Sequence, residues 1–509
     1  MDKKIIFNLL GNVLTAFSLI LIPMIIYCVA FDFEPEAAIF FLAFGMWTLV
    51  GGIFFLRLGR GHSRRLTLSA SATTMLLIYP LVAAIAMIPI FLFGGLSISA
   101  TLLETISDLT SAGVSLLPKN APYFLRLWQS LLMWFGSLIF LVMLATTMPK
   151  VSGCFGLDLS LHGGQSFSSA FGQMNLITRR IVGIYVLLTA ISFISFKAAG
   201  LNFWDAFLMA MRCTSTGGGD FFPGRGNIFV EYAAAFSMLL ACGNLLFYHR
   251  LIVTIPPPET VQEGNIFQRA GRYVKRLKRN IFYNVGYFFR NSEVKASLLI
   301  IFLCVGLVMF TTYRRGIILD GNDAFRYSIF HAISFLSTTG INLTNVESFH
   351  DFDRFLIFFT AIIGGCMGSV TGGLKMMRAV VLAKVTATEL KHTMHPHMIS
   401  RIRVNGIVVP PEIVGRILAF FFLSSVTLFI CAMALSFCGI KFSEAVAMSA
   451  ACLTNVGVFP GICDAENFLH LPLFGKIFCA GILILGRLEI FVFLIAIAGI
   501  KFRHRNIKW

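Results

Sequence analysis

Apolar positions in this chain come in long unbroken runs, not in the alternating or three-and-four spacing of a soluble fold. A bilayer core about 30 Å thick needs roughly 20 apolar residues per helical crossing. Runs of that order fall at 5–30, 37–57, 67–94, 122–148, 180–200, 229–252, 296–317, 353–384, 413–439 and 470–500, so ten crossings are predicted. Four shorter apolar stretches, about 99–110, 203–214, 324–337 and 443–454, stand between members of the later pairs. Each has about 12 residues, roughly 18 Å of helix, or half a membrane. Each begins near a residue able to cap a helix: Ser99, Asn202, Asn322 or Ser443.

The four short stretches end alike. Their turns read Thr110, Ser111, Ala112, Gly113; Thr214, Ser215, Thr216, Gly217; Ser337, Thr338, Thr339, Gly340; and Thr454, Asn455, Val456, Gly457. The turns recur about every 115 residues, which marks an internal repeat of helix, half-helix, glycine turn and helix. The expected fold is an all-α polytopic membrane protein: two N-terminal helices, then four such repeats around a pseudo-fourfold pore. The division expected is 1–66 for the extra helix pair, 67–150 and 178–254 for the first two repeats, and 255–295 for a basic cytoplasmic linker. Repeat three takes 296–384, a cytoplasmic loop 385–411, and repeat four 412–509.

Composition excludes the soluble classes. The 509 residues are 57% hydrophobic and only 13% charged, with a mean hydropathy of +0.82; soluble domains carry about 25% charge. The net charge of +17 would otherwise suggest a polyanion partner. Its distribution argues for membrane orientation instead. Basic clusters fall on one side: Arg57, Arg60, Arg64 and Arg65; Lys150, Arg179, Arg180 and Arg250; the 255–295 linker; and Lys501, Arg503, Arg505 and Lys508. The loop with Asp32, Glu34 and Glu36 falls on the other. Both termini are therefore expected in the cytoplasm of a multi-pass inner-membrane protein, with the half-helices entering from outside. The linker, which opens on Pro256, Pro257 and Pro258, suits anionic lipid headgroups or a cytosolic subunit. The 11 cysteines show no metal-ligand spacing, and a Cys452–Cys463 disulfide is not expected.

The turns carry the candidate chemistry. Glycine permits the backbone angles that aim successive carbonyls at an axis, and rings of carbonyls replace the water of a cation. The C-terminal ends of the half-helices favour positive charge, and the hydroxyls of Thr110, Thr214, Ser337 and Thr454 add oxygens below. Five glycines within ten residues, Gly364, Gly365, Gly368, Gly372 and Gly373, cannot hold a helix, so the eighth crossing is expected to break mid-membrane. Lys375 at the end of that segment obstructs cations. Arg487 lies within an otherwise apolar crossing, a position that costs at least about 2.5–3.5 kcal/mol unless it faces a polar cavity. Glu489, two residues on, is expected to pair elsewhere.

These motifs resemble the membrane subunit of Trk-type potassium uptake systems, TrkH-like, in the wider Trk/Ktr/HKT superfamily. The resemblance spans essentially the whole chain. Beyond the turns it rests on the glycine-rich segment 364–375, on Leu485 to Phe491, and on Arg403 to Pro410. The two extra N-terminal helices point to the Trk branch. The chain departs from the family pattern in Ser111 and Ala112, in Gly218, Gly219 and Asp220 after the second turn, and in Val458 and Phe459 before Pro460 and Gly461.

The resemblance implies a filter at the four turns and a gate at 364–375. It places Arg487 as a barrier just below the filter, and glycine at Gly113 goes with potassium. It also implies a TrkA-like nucleotide-binding regulatory subunit in the cytosol and a membrane homodimer. No cofactor is expected, the potassium ion being the substrate, and no nucleotide-binding loop appears in the chain. Channel-like uptake driven by the membrane potential is the expected mechanism, since 100 mV supplies about 2.3 kcal/mol per charge, enough for about forty-fold accumulation. A sodium- or proton-coupled transporter of the same fold is the alternative. A membrane-embedded enzyme or sensor is remote.

Overall fold

In the computed structural model of the chain, the described residues are 3–32, 35–60, 68–146, 174–245, 247–248, 286, 288–314, 320–343, 350–397, 401–459 and 461–501. Most of the 255–295 linker lies outside them, as do Arg64, Arg65, Lys150, Glu34, Pro460 and the basic tail from Arg503. The chain is helical almost throughout. Helices α1 (Lys3–Tyr27) and α2 (Pro35–Leu58) form an antiparallel pair joined through a π-helical turn at Cys28–Asp32. Their backbones approach closely at Gly11 and Gly52, where an added Cβ would overlap Leu56 and Thr15 across the pair. Van der Waals fit of this kind substitutes for the hydrophobic drive that lipid abolishes. The pair leans on the first repeat through Phe17 and Phe41, both packed on Trp128.

Four units follow. The first is α3 (Leu68–Phe93), α4 (Ile98–Leu109) and α5 (Tyr123–Thr146). The second is α6 (Met174–Ala198), α7 (Phe203–Ser215) and α8 (Ile228–Cys242). The third is α9 (Ser292–Arg314), α10 (Gly321–Leu336), α11 (Asp351–Ile363) and α12 (Met376–Met394). A short hairpin, β1 (Arg403–Val404) with β2 (Ile407–Val408), leads to the fourth. That unit holds α13 (Pro411–Phe437), α14 (Phe442–Thr454), α15 (Ala465–Leu469), α16 (Leu473–Leu488) and α17 (Ile490–Lys501).

The packing is cyclic. Each half-helix lies between the flanking helices of its own unit and also touches the second long helix of the unit before it: α7 on α5, α10 on α8, α14 on α11 and α4 on α16. The last of these contacts, with α17 on α3, closes the ring. The half-helices therefore lie inside the core. Ala100, Leu103, Leu208, Met209, Ala332, Phe335, Met448 and Ala450 are all buried, while the outer faces of α2, α9 and α13 expose rows of large apolar side chains.

Seven helices among the described residues are long and apolar enough to cross a bilayer, with an eighth span if α16 and α17 are taken as one. Three of the ten crossings are not straight spans, the first of them broken as expected. The eighth breaks at 364–375 into α11 and α12, as the glycines require. The tenth is bent by 104° at Glu489, which holds φ +63° between α16 and α17. The sixth stops at Cys242, because Gly243 turns extended and Asn244 leaves the helix. The helix caps also move. Ser97 and Asp320, not Ser99 and Asn322, accept the capping N–H, from Ala100 and Asn322. Lys441 stands at the position expected for Ser443 and makes no side-chain cap, and neither does Asn202. Cys452 and Cys463 are buried free thiols.

Candidate functional site

All four half-helices end in one backbone pattern. After the last helical turn one residue flips to left-handed φ: Ser111 at 56°, Thr216 at 56°, Thr338 at 56° and Asn455 at 52°. Two hydrogen bonds fold each turn back on its helix. Ser111 N–H donates to Asp108 O (2.9 Å) and Ala112 N–H to Ser107 O (2.8 Å). Thr216 and Gly217 do the same to Cys213 and Arg212, Thr338 and Thr339 to Phe335 and Ser334, and Asn455 and Val456 to Cys452 and Ala451.

This equivalence corrects the register of the second turn. Its counterpart of Ser111 is Thr216, so the equivalent tetrapeptide is Ser215, Thr216, Gly217 and Gly218, one residue later than the sequence comparison gives. Thr214 instead directs its hydroxyl to Ala210 O (2.7 Å), with Thr189 of α6 at 3.3 Å. The sequence misleads here because Gly217, Gly218 and Gly219 follow one another and spacing cannot choose among them.

The glycines settle the register by a second route. A Cβ on Gly113 would collide with the backbone of Gly218. One on Gly218 would meet Thr339 O, one on Gly340 Val456 O, and one on Gly457 Ala112 O. Each key glycine therefore abuts the next turn, and the four contacts run once round a closed ring. A Cβ on Gly217 would meet the Met133 side chain, outside that ring. Thr110 and Thr454 hydroxyls donate back to Ile106 O (2.7 Å) and Ala450 O (2.8 Å), and Ser337 to Ser334 O (3.0 Å).

The glycine-rich segment lies against this ring. Gly372 N–H donates to Thr338 Oγ1 (2.8 Å), and the Gly372 backbone packs on the Thr454 carbonyl so tightly that no side chain fits. Gly364, Gly368, Gly373 and Lys375 all hold positive φ, between 72° and 76°. Lys375 is buried and folds back into its own loop, donating to Thr371 O and to Ser369 O (3.3 Å). The loop is anchored from behind by residues that sequence reading missed. Met367 N–H donates to the buried carboxylate of Glu293 (2.8 Å), which also accepts from Asn244 Nδ2 (3.4 Å). Cys366 N–H donates to Cys242 O, and Leu245 N–H to Gly368 O. The break after α8 and the break after α11 thus brace each other. Glu293 could have been suspected as an acid at the start of an apolar run.

Arg487 is in the last turn of α16, at the kink rather than mid-helix, and only 3% exposed. Its guanidinium donates to Val370 O of the glycine-rich loop (2.9 Å) and to Ser137 Oγ (2.8 Å), with Ser111 Oγ of the first turn at 3.5 Å. The Phe140 ring lies 4.5 Å from it. It makes no ion pair among the described residues. Glu489 pairs with Arg378 of α12 (2.8 Å), and that guanidinium stacks over Phe420. One arginine therefore touches both the ring and the loop beneath it. The next pair fastens the kinked last helix to the far side of that loop.

Comparison with known proteins agrees with this architecture. The family model for TrkH, described as cation transport protein, matches residues 94–503. The chain is 24% identical over 504 residues to the Trk system potassium uptake protein TrkH of Halomonas elongata, covering 96% of this chain and 97% of that one. It is 23% identical over 514 residues to the Trk system potassium uptake protein TrkG of Escherichia coli, covering 98% and 99%. The crystal structure of the potassium transporter TrkH from Vibrio parahaemolyticus superposes with a TM-score of 0.82 at 21% identity, over 97% of this chain and 98% of that one. With most of its length matched by the family model and its fold shared, this chain belongs to the TrkH family of cation transport proteins, a transporter family and not an enzyme family.

Proposed function

We propose that this protein takes potassium into the cell through a channel-like pore driven by membrane potential. The observation that carries the reading is the closed ring of four equivalent turns, each glycine seated on the backbone of the next. Small side-chain-free positions at every quarter let four backbones approach one axis, the condition for carbonyl oxygens to replace an ion's water. Potassium as the cargo follows the names of the relatives that match end to end.

In this reading the filter is Thr110 to Gly113, Ser215 to Gly218, Ser337 to Gly340 and Thr454 to Gly457. The loop 364–375 is the gate, drawn up under the ring with Lys375 tucked away. Arg487 is the barrier below the filter. Its ties to Val370, Ser137 and Ser111 let it report the position of the gate to the first turn. The units 67–150, 178–254, 296–384 and 412–509 are the four quarters of the pore, with 1–66 an added helix pair. A cytosolic TrkA-like subunit opens the gate, two copies of this chain form the membrane unit, and both termini face the bacterial cytoplasm.

Rubidium flux into proteoliposomes of the purified chain, under imposed voltage at fixed pH, tests the mechanism. Flux that rises with inward-negative potential and is competed by potassium but not sodium supports it. Voltage-independent flux that follows a proton or sodium gradient sinks it in favour of a coupled transporter.

A further inference from the structure

Ser292 opens α9, and its N–H is among those that the start of a helix leaves without an acceptor inside the helix. The acceptor comes from 113 residues away: Asn405 Oδ1, in the turn of the β1–β2 hairpin, takes it at 2.7 Å. The Asn405 amide also donates to Asn291 Oδ1 (3.3 Å), the atom that accepts Glu293 N–H (2.9 Å). The first turn of α9 is therefore capped twice, by Asn291 just before it and by Asn405 from the hairpin. Glu293 stands in that same turn, and its buried carboxylate holds Met367 N–H of the loop 364–375 (2.8 Å). Hydrogen bonds thus run from the hairpin, through the start of α9, to the middle of the loop.

The hairpin takes a second hold beyond the end of the loop. Helix α12 begins where the loop stops, and Lys384 on it donates from Nζ to Arg403 O of β1 (2.7 Å). The hairpin is itself seated in the protein: Val404 and Val409 are buried, and Val409 N–H donates to Ile402 O (2.9 Å). Asn405 and Gly406 hold left-handed backbone, at φ 51° and 82°, as a two-residue hairpin turn requires. Asparagine tolerates that backbone and supplies the capping oxygen as well. Glycine in its place keeps the turn and loses the cap.

We propose that the hairpin 403–408 is a clamp on the loop 364–375, and that Asn405 is the positioning residue through which it acts. One hold on α9 and one on α12 keep the middle of the loop, and the helix that continues it, in a single arrangement. Removing the Asn405 side chain uncaps α9 and loosens the turn that carries Glu293, so the loop leaves the ring more readily. The effect on transport rests on reading that loop as the gate.

Two measurements on the purified full chain test the clamp: rubidium uptake into proteoliposomes at one imposed potential with equal protein incorporated, and amide hydrogen exchange across 364–375. Asn405→Gly keeps the turn and removes the cap; exchange across the loop speeds up, exchange in α5 does not, and uptake rises about fivefold. Asn405→Asp keeps an oxygen at the start of α9, where negative charge is favoured, and stays within about twofold of native. Glu293→Ala combined with Asn405→Gly takes up rubidium within about twofold of Glu293→Ala alone, because two breaks in one chain of contacts do not add. Loop exchange unchanged by Asn405→Gly overturns the clamp, as do single increases that multiply in the double variant, or an Asn405→Asp as fast as Asn405→Gly. Lys384→Met breaks the second hold and carries the test if Asn405→Gly does not reach the membrane; unchanged loop exchange there overturns the clamp too. Loop exchange that speeds up while uptake stays native would instead overturn the gate reading, so the two failures are distinct.

Discussion

Ser111, Thr216, Thr338 and Asn455 hold left-handed backbone although none is glycine, a strain of roughly 1–2 kcal/mol each. Asparagine tolerates it best; the three hydroxyl residues do not. Four equally strained residues at four equivalent places fix where each following glycine lies. Gly218→Ser forces a side chain into Thr339 O and spreads the ring, whereas Gly217→Ser meets only the adaptable Met133. Overpacking of about 1–3 kcal/mol converts to a loss of potassium-over-sodium preference of roughly tenfold or more at Gly218, measured as sodium competition against rubidium uptake. An equal loss at Gly217 would restore the sequence-derived register. Gly113→Ser behaves like Gly218→Ser and admits sodium. Arg487→Ala removes a buried charge that ties Ser111 to Val370, and leak in the resting state rises about tenfold. An unchanged leak in a well-folded variant counts against the barrier role.

At the scale of elements, the loop 364–375 is irregular because five glycines leave it no helix, but it is held by specific bonds. Glu293 receives Met367 N–H, and Asn405 of the hairpin turn receives Ser292 N–H one residue earlier, at 2.7 Å. The hairpin and the loop are therefore fastened to the same end of α9. Glu293→Ala frees the loop and raises uptake without any regulatory subunit; unchanged uptake would show that the anchor does not limit gating. The Arg378–Glu489 pair holds the kink of α16 and α17. Glu489→Ala strands a buried arginine at a cost of about 3–5 kcal/mol. The thermal midpoint in detergent falls by several degrees, and a matched Arg378→Met, Glu489→Ala double variant recovers much of the loss.

For the whole molecule, the ring explains why four half-membrane helices are stable at all. None can bury its polar end alone; each is completed by the unit before it, and α17 on α3 makes the circle shut. The lipid-facing surfaces are correspondingly bland, and Phe302, Phe422 and Met433 are exposed to what surrounds the protein. The bias of basic residues to one side predicts that this side faces the cytoplasm. A membrane-impermeant thiol reagent added outside intact cells is expected to label a cysteine placed at Lys119, and to reach one placed at Asn405 only after the cells are opened. The reverse pattern would invert the topology.

Much of this was legible in the chain because membrane burial is a one-dimensional constraint. Run length separates most crossings from half-crossings, the sixth excepted; four repeated turns announce four repeated units, and clustered glycines announce the break in the eighth crossing. Charges inside an apolar run, such as Arg487, mark themselves by their cost. Tertiary structure decided what depends on neighbours far along the sequence. Gly218 rather than Gly217 completes the ring because only its hydrogen faces Thr339. The last crossing bends at Glu489, where Arg378 from another unit holds the carboxylate. Arg212, bonded to Ser130 and Gln129, and Glu293, bonded to Met367 and Asn244, gain their meaning from partners outside their own helices. Spacing records which residues share an element, and only packing determines which elements share a site.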